Sequence, residues 1–423
     1  MLQKIKSILS KNSSKQVGIY TFAGSLSKLI SFAALPFFVN KLSAGDIGIL
    51  NIFSNCIVFL TPIISMGVLY TFSVDYFKLP KVEYAKKIST GLIIPAALSL
   101  LLIPVLFLFK VPLAKAFNFQ PAFLWLIPIC LFLNFCFEAF TILMRNQNKV
   151  KLFAVVSIVK VVAEIGLSIL FILFIYQSWY SRALAYLLSG LVIAGLFFLY
   201  LRKQQFLVNR VETKVLLREL HFGISGMVLQ TAIFFINSSD KFFVMSFFGK
   251  DQAGYYAVAS TFAGIQYIVA ISLLQYLQPV LFSRFVDGDK WNDVKFLFYK
   301  YFLAMAATML AVGAVTFIVY SYLLRPSYLS YLSYFYILAV NTFLWTIANL
   351  FLQYIVFIKN KKILVQLSVL SIAVAFGINY IASKYYAITY LAWGQVLIDL
   401  IVIAIIIFYN KKLLFFTSNE KDF

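Results

Sequence analysis

The chain has 423 residues, of which 62% are hydrophobic, 18% aromatic and only 12% charged, with a mean hydropathy of +0.92. A water-soluble domain carries about 25% charged residues, and no globular core of this length hides 46 Phe and 26 Tyr from solvent. The composition therefore excludes a soluble protein, and the net charge of +21 points to the short cytoplasmic loops of a membrane protein and not to nucleic acid.

Residues 1–16 are basic and polar, with Leu2, Ile5, Ile8 and Leu9 at helical spacing, and predict a short amphipathic helix on the cytoplasmic lipid surface. The apolar stretch that follows is too long for a signal-peptide core and lacks a small-residue cleavage site, so it reads as a retained span. Crossing ~30 Å of hydrocarbon takes ~20 apolar residues. Twelve segments qualify: 17–39, 47–68, 88–109, 122–143, 152–175, 183–201, 221–248, 253–283, 301–324, 331–358, 363–383 and 388–409. Backbone groups in lipid must be satisfied within the segment, and strand-type alternation is missing, so these are helices. The expected fold is an all-α integral membrane protein of 12 transmembrane helices. It has an N-terminal six-helix bundle at 17–201, a C-terminal one at 221–409 and a cytoplasmic tail at 410–423. Residues 202–220, the longest and most charged connection, read as an amphipathic linker helix between the bundles.

Orientation follows from the bases. The N-terminus, the tail and the connections 69–87, 144–151, 202–220, 284–300 and 359–362 hold 26 Lys and Arg, against 7 in the opposite set at 40–46, 110–121, 176–182, 249–252, 325–330 and 384–387. This alternation places both termini in the cytoplasm. The connections are too short for a soluble catalytic domain on either side. The single His221 cannot build a metal site or a catalytic triad alone, and Cys56, Cys130 and Cys136 all lie in apolar segments as ordinary buried residues. No enzymatic activity and no cofactor are expected. A Gly-rich phosphate loop ending in Lys and Ser or Thr is missing, so ATP does not drive the protein. A coupling ion, H+ or Na+, the membrane potential and the substrate gradient all stay open.

Two phrases occur twice. "LPFFVNKLSAGDIGILNIFS" at 35–54 is echoed by "SSDKFFVMSFFGKDQAGYYAVAS" at 238–260, and "TILMRNQNKVKLFAVVSI" by "QYIVFIKNKKILVQLSVL", each pair six spans apart. Six is even, so both halves enter the membrane from the same side. That is a parallel repeat about an axis along the membrane normal, the plan of transporters with two bundles flanking a central cleft.

Ionisable groups inside spans are costly and face a wet cavity or a partner. Lys28 lies mid-way along the first span. Lys160 and Glu164, four apart in the fifth, share a helix face, as a self-neutralising pair or as a substrate or ion site. Asp240 and Lys241 are adjacent, so their side chains diverge by about 100°. Asp399, mid-way along the last span, has no base on its own helix and needs a partner from another. Glu138 and Arg145 sit toward the cytoplasmic end of the fourth span. Pro36, Pro62, Pro95, Pro104, Pro128 and Pro279 punctuate the spans.

The stretches "LPFFVNKLSAGDIGILNIF", "MRNQNKVKLFA" and "INSSDKFFVMSFFGKDQAGYYAVAS" resemble the Wzx-like oligosaccharide flippases, in the superfamily that also holds multidrug/toxin extruders and lipid II flippases. The resemblance runs from Gly18 to about Asn410 and puts Asp240-Lys241 where such flippases typically show Asp-Arg. It implies transfer of an undecaprenyl-diphosphate-linked oligosaccharide from the inner to the outer leaflet of a bacterial inner membrane by alternating access, for surface polysaccharide such as O-antigen or capsule. The implied partners are that lipid-linked oligosaccharide, membrane lipids and the polysaccharide polymerase machinery. On this reading the substrate-binding candidates are Lys28 and Lys160 for the diphosphate, with Glu164, Asn237, Asp240, Lys241, Asp399 and Arg145. Asn55, Asn134, Gln266, Gln275, Asn341 and Asn349 are candidate polar lining. A multidrug or organic-cation antiporter of the same superfamily is the alternative; a glycan polymerase would want a carboxylate or Arg cluster on larger outer loops.

Overall fold

The computed structural model describes residues 26–27, 29–117, 124–208, 213–286, 291–357 and 361–410. The described residues are almost wholly helical and contain no strand. They fall into two compact units, Met1–Met227 and Val228–Phe423.

The first unit holds α1 (Leu35–Lys41), α2 (Ala44–Ser65), α3 (Val68–Asp75), α4 (Lys81–Leu108), α5 (Lys110–Phe117), α6 (Leu126–Asn146), α7 (Val150–Phe174) and α8 (Trp179–Lys203). Helix α6 is its hub, packed against α2, α3, α4, α7 and α8. Accordingly it buries Leu131, Leu133, Phe135, Cys136, Ala139, Phe140 and Leu143. Helix α4, by contrast, leaves Leu100, Leu101, Ile103, Phe107 and Leu108 exposed, as a face turned to lipid should. Lipid tails are as apolar as these side chains, so close helix contact depends on small residues. A Cβ on Gly190 of α8 would lie 3.1 Å from Leu133 of α6, and one on Gly91 of α4 would lie 2.7 Å from the Phe72 ring of α3.

Polar caps fix the ends. Ser43 stands in extended conformation before α2, and its Oγ accepts from the Asp46 N–H at 3.0 Å. The Asp46 carboxylate in turn accepts from the Trp179 N–H at 3.0 Å and the Ser178 hydroxyl at 3.2 Å, tying the start of α2 to the start of α8.

The second unit takes most of α9 (Thr213–Val286), then α10 (Trp291–Tyr322), the short α11 (Pro326–Leu329), α12 (Leu332–Phe357), α13 (Lys361–Tyr385) and α14 (Ile388–Tyr409). Helix α14 packs on α12 and α13, and α12 also packs on α10. Ile236, Trp345, Ala348, Ile355, Leu367, Ala375, Ile398, Val402 and Ile406 form one buried cluster.

Ten helices among the described residues are long and apolar enough to cross a membrane. The predicted spans differ from them in specific ways. Of the first, 17–39, residues 17–25 and Lys28 lie outside the described residues, as do the N-terminal 1–16 and the tail beyond Asn410. The seventh and eighth are two helices that meet end to end within the range of α9, broken at Gly249, φ 84°, ψ 173°, where the turn at 249–252 is expected. That backbone region is open to glycine alone, so one residue does the work of a loop.

The expected loop at 69–87 contains α3 and the start of α4. Helix α2 stops at Met66 (φ 41°) and Gly67 (φ 71°), and the chain resumes as α3. The final carbonyls of a helix lack partners within it. Here the Tyr84 hydroxyl (2.8 Å) and the Asn146 amide (3.2 Å) both donate to the Phe72 carbonyl, and Lys87 pairs with Asp75. The expected outer connection at 110–121 begins with α5. Within 202–220, α8 ends at Lys203, Phe206 is buried against Tyr84, residues 209–212 lie outside the described set, and α9 has begun by Thr213.

Candidate functional site

Among the described residues, polar groups within the spans gather around Lys160 in the first unit and around Asp240 and Asp399 in the second. In the first, the 3.6-residue turn of α7 places Lys160 and Glu164 one above the other, with Nζ 3.3 Å from Oε2. The order, Lys before Glu, is the less favourable one along a helix. The ammonium also lies 4.9 Å from the centre of the Phe137 ring on α6 and 4.9 Å from that of Tyr186 on α8. Each such cation–π contact contributes about 0.5–2 kcal/mol, more when desolvated, and Lys160 is only 9% exposed. The Tyr186 hydroxyl donates to Asn134 Oδ1 at 3.4 Å, and the Asn134 amide donates to Thr61 of α2 at 3.4 Å. Nearby on α8, the Arg182 guanidinium sits 4.0 Å over the Phe38 ring, within electrostatic reach of Glu164. The result is a desolvated cation against two aromatic rings, held by one carboxylate oxygen, with the phenol of one ring bonded onward to an amide.

Arg145 does not join it. Exposed at the end of α6, it lies 6.0 Å from the Phe153 ring in a basic turn where Lys149 donates to the Tyr200 hydroxyl at 2.7 Å. Asn55 donates to Asn51 within its own helix.

In the second unit Asp240 and Lys241 do diverge. Lys241 reaches back to the Asn237 carbonyl and the Ser238 hydroxyl, both at 3.3 Å, while Asp240 turns inward, 2% exposed, and accepts from the Tyr256 hydroxyl at 2.6 Å. Asp399, 0% exposed, finds its partner on another span: the Asn341 amide of α12 donates to its Oδ2 at 2.7 Å and to the Gln395 carbonyl at 3.1 Å. The Gln395 amide donates to Asn379 Oδ1 at 2.6 Å, and the Asn379 amide to the Ser239 hydroxyl at 3.0 Å. One chain of amides thus runs from the neighbour of Asp240 to Asp399. Each carboxylate keeps one buried oxygen, Oδ1, with no hydrogen-bond donor, and the two acids lie within electrostatic reach of one another. Asn237 and Asn349 bond back to their own helices, and Gln266 donates to the Met305 carbonyl at 3.5 Å. The side chain of Gln275 is outside the described set.

Residues 13–286 match the family of polysaccharide biosynthesis proteins. The chain belongs to that family. No curated protein matches it in sequence. Among solved structures, it is similar to a multidrug resistance MATE family transporter of the MOP superfamily in its inward-facing conformation, at 14% identity over 92% of this chain and 94% of that one, with a TM-score of 0.67. A MATE protein in complex with MaD3S gives 13% identity over 94% and 95% of the two chains and a TM-score of 0.58. An outward-facing MATE family transporter gives 14% over 94% of each and 0.55. At such identities the likeness defines the fold: this member of the polysaccharide biosynthesis family is a multi-pass helical membrane protein with the architecture of MATE transporters.

Sequence spacing alone pairs Lys160 with Glu164. It misses Phe137, Tyr186, Tyr256, Asn379 and Gln395, which are common residue types in membrane helices and acquire meaning only when the packing register brings them to a charge.

Proposed function

We propose that this protein flips an oligosaccharide carried on undecaprenyl diphosphate from the inner to the outer leaflet of a bacterial inner membrane by alternating access. Delivery is to the machinery that polymerises surface polysaccharide. The observation that carries this reading is the setting of Lys160: a buried ammonium 4.9 Å from the rings of Phe137 and Tyr186, the second of which donates its hydroxyl to Asn134. The cation suits the diphosphate, and the rings and amide suit the sugars next to it. Family membership supports the polysaccharide pathway, and the transporter fold supports translocation over chemistry on the substrate. Lys28, mid-way along the first predicted span, is the second proposed diphosphate contact.

The acids of the second unit are the proposed site of the coupling ion. Two buried carboxylates, each with a donor-free oxygen, are costly as they stand and suit H+ or Na+. They also suit a cationic substrate, which is what favours the second reading, an organic-cation antiporter. Replacing Lys160 by Ala tests the choice. At normal expression, loss of surface glycan supports the flippase; unchanged glycan with drug-dependent growth supports the antiporter.

A further inference from the structure

The proposed diphosphate site already holds an anion of its own. Glu164 occupies the ionic contact of Lys160 through one oxygen at 3.3 Å, in a single-point pairing of the less favoured helical order. A substrate diphosphate carries more charge than a carboxylate and offers more acceptor oxygens, so it wins the ammonium. Glu164 is then left in the membrane interior, with its side chain 22% exposed and its cation taken.

The charged and titratable groups facing this spot come from three helices: Lys160 on α7, Cys130 and Glu138 on α6, and Arg182 and Tyr186 on α8. Of these only Arg182 could take over as counter-ion. Its guanidinium is held 4.0 Å over the Phe38 ring and is not at ion-pair distance from Glu164, whose ion pair is with Lys160. An ionised carboxylate without a partner is not sustained inside a membrane, and the simple relief is protonation.

We propose that Glu164 is an internal counter-ion that the diphosphate displaces from Lys160, and that each displacement takes up one proton from water onto the Glu164 carboxylate. The exchange balances: the Lys160 ammonium keeps its proton and changes partner, the carboxylate becomes a carboxylic acid, and no covalent bond of the substrate is touched. Release of the diphosphate returns the proton and re-forms the ion pair. Glu164 thereby keeps the site from trapping its own substrate and couples occupancy to pH. This inference rests on the diphosphate reading of the site.

The test uses the full chain in detergent and calorimetric titration with inorganic pyrophosphate in two buffers of different ionisation enthalpy. The difference between buffers counts the protons bound with the anion. The wild type should take up about one more proton per pyrophosphate than Glu164→Gln, which removes the charge at nearly constant shape and cancels the probe's own protonation. Linkage then requires the wild-type affinity to fall up to about tenfold more per pH unit than that of the variant as pH rises. The variant should also bind more tightly at neutral pH.

Equal proton uptake by the two proteins, with binding still abolished by Lys160→Ala, overturns the exchange and leaves the diphosphate site standing. Saturable binding missing from the wild type, or untouched by Lys160→Ala, overturns the diphosphate reading itself. Should Glu164→Gln not fold, the wild-type proton count between pH 6 and pH 9, corrected for the known titration of pyrophosphate, decides the question. A count that stays at zero overturns the proposal.

Discussion

Removing the Asn341 side chain probes the polar chain of the second unit at its most exposed joint in energetic terms. Its amide donates both to Asp399 Oδ2 at 2.7 Å and to the Gln395 carbonyl at 3.1 Å, and Asp399 is fully buried with its other oxygen already lacking a donor. A hydrogen bond contributes about 0.5–1.5 kcal/mol net, and a buried acceptor left without its donor costs about 1–3, so Asn341→Ala should cost about 2–4 kcal/mol. In an Asp399→Leu background the buried acceptor is gone, and the same substitution should cost about 1–2 kcal/mol less. The readout is the thermal unfolding midpoint of the detergent-solubilised protein for wild type, both single variants and the double. The double should lie above the midpoint expected from adding the two single losses. Strict additivity would falsify the assignment of Asn341 as the partner of Asp399.

Other positions give independent checks. Gly91→Ala forces a methyl to within 2.7 Å of the Phe72 ring and should lower stability by about 1–3 kcal/mol, recovered in part by Phe72→Leu. Asp46→Ala removes the acceptor of the Trp179 N–H and the Ser178 hydroxyl, and should cost about 1–3 kcal/mol, with faster hydrogen exchange at the start of α8 than in its middle. Tyr256→Phe strips Asp240 of the donor to its Oδ2, and a coupling-ion role predicts that the pH or Na+ dependence of transport shifts, while a purely structural role lowers the yield alone. Cysteines placed at Lys78 and Lys384 test orientation: an impermeant maleimide should label the second in intact cells and the first only after the membrane is opened.

The fold was legible because its causes are local. Hydropathy reads Ala44–Ser65 or Ile388–Tyr409 directly, since a helix is the only way for such a segment to satisfy its backbone in lipid. The break at Met66–Gly67 falls within two residues of the expected span end at 68, although the residue that turns left-handed, Met66, carries no signal of its own for it. Helix α3 was hidden for a related reason, because what caps it, Tyr84 and Asn146, comes from other helices.

The candidate sites divide in the same way. Four-residue spacing puts Lys160 on Glu164, and adjacency sends Asp240 and Lys241 apart. Spacing along one helix cannot say that Asn341 rather than a base answers Asp399, or that two rings from α6 and α8 close over Lys160.

The flippase proposal has a buried ammonium on α7 grip the diphosphate of a lipid-borne glycan. Purified protein in liposomes loaded with fluorescent undecaprenyl-diphosphate oligosaccharide, with outer-leaflet label quenched over time, measures this directly. The wild type should exchange the lipid between leaflets, and Lys160→Ala should lose at least about tenfold, the loss of one charge-assisted contact. Equal exchange by both proteins, or none by a wild type that transports organic cations, contradicts it.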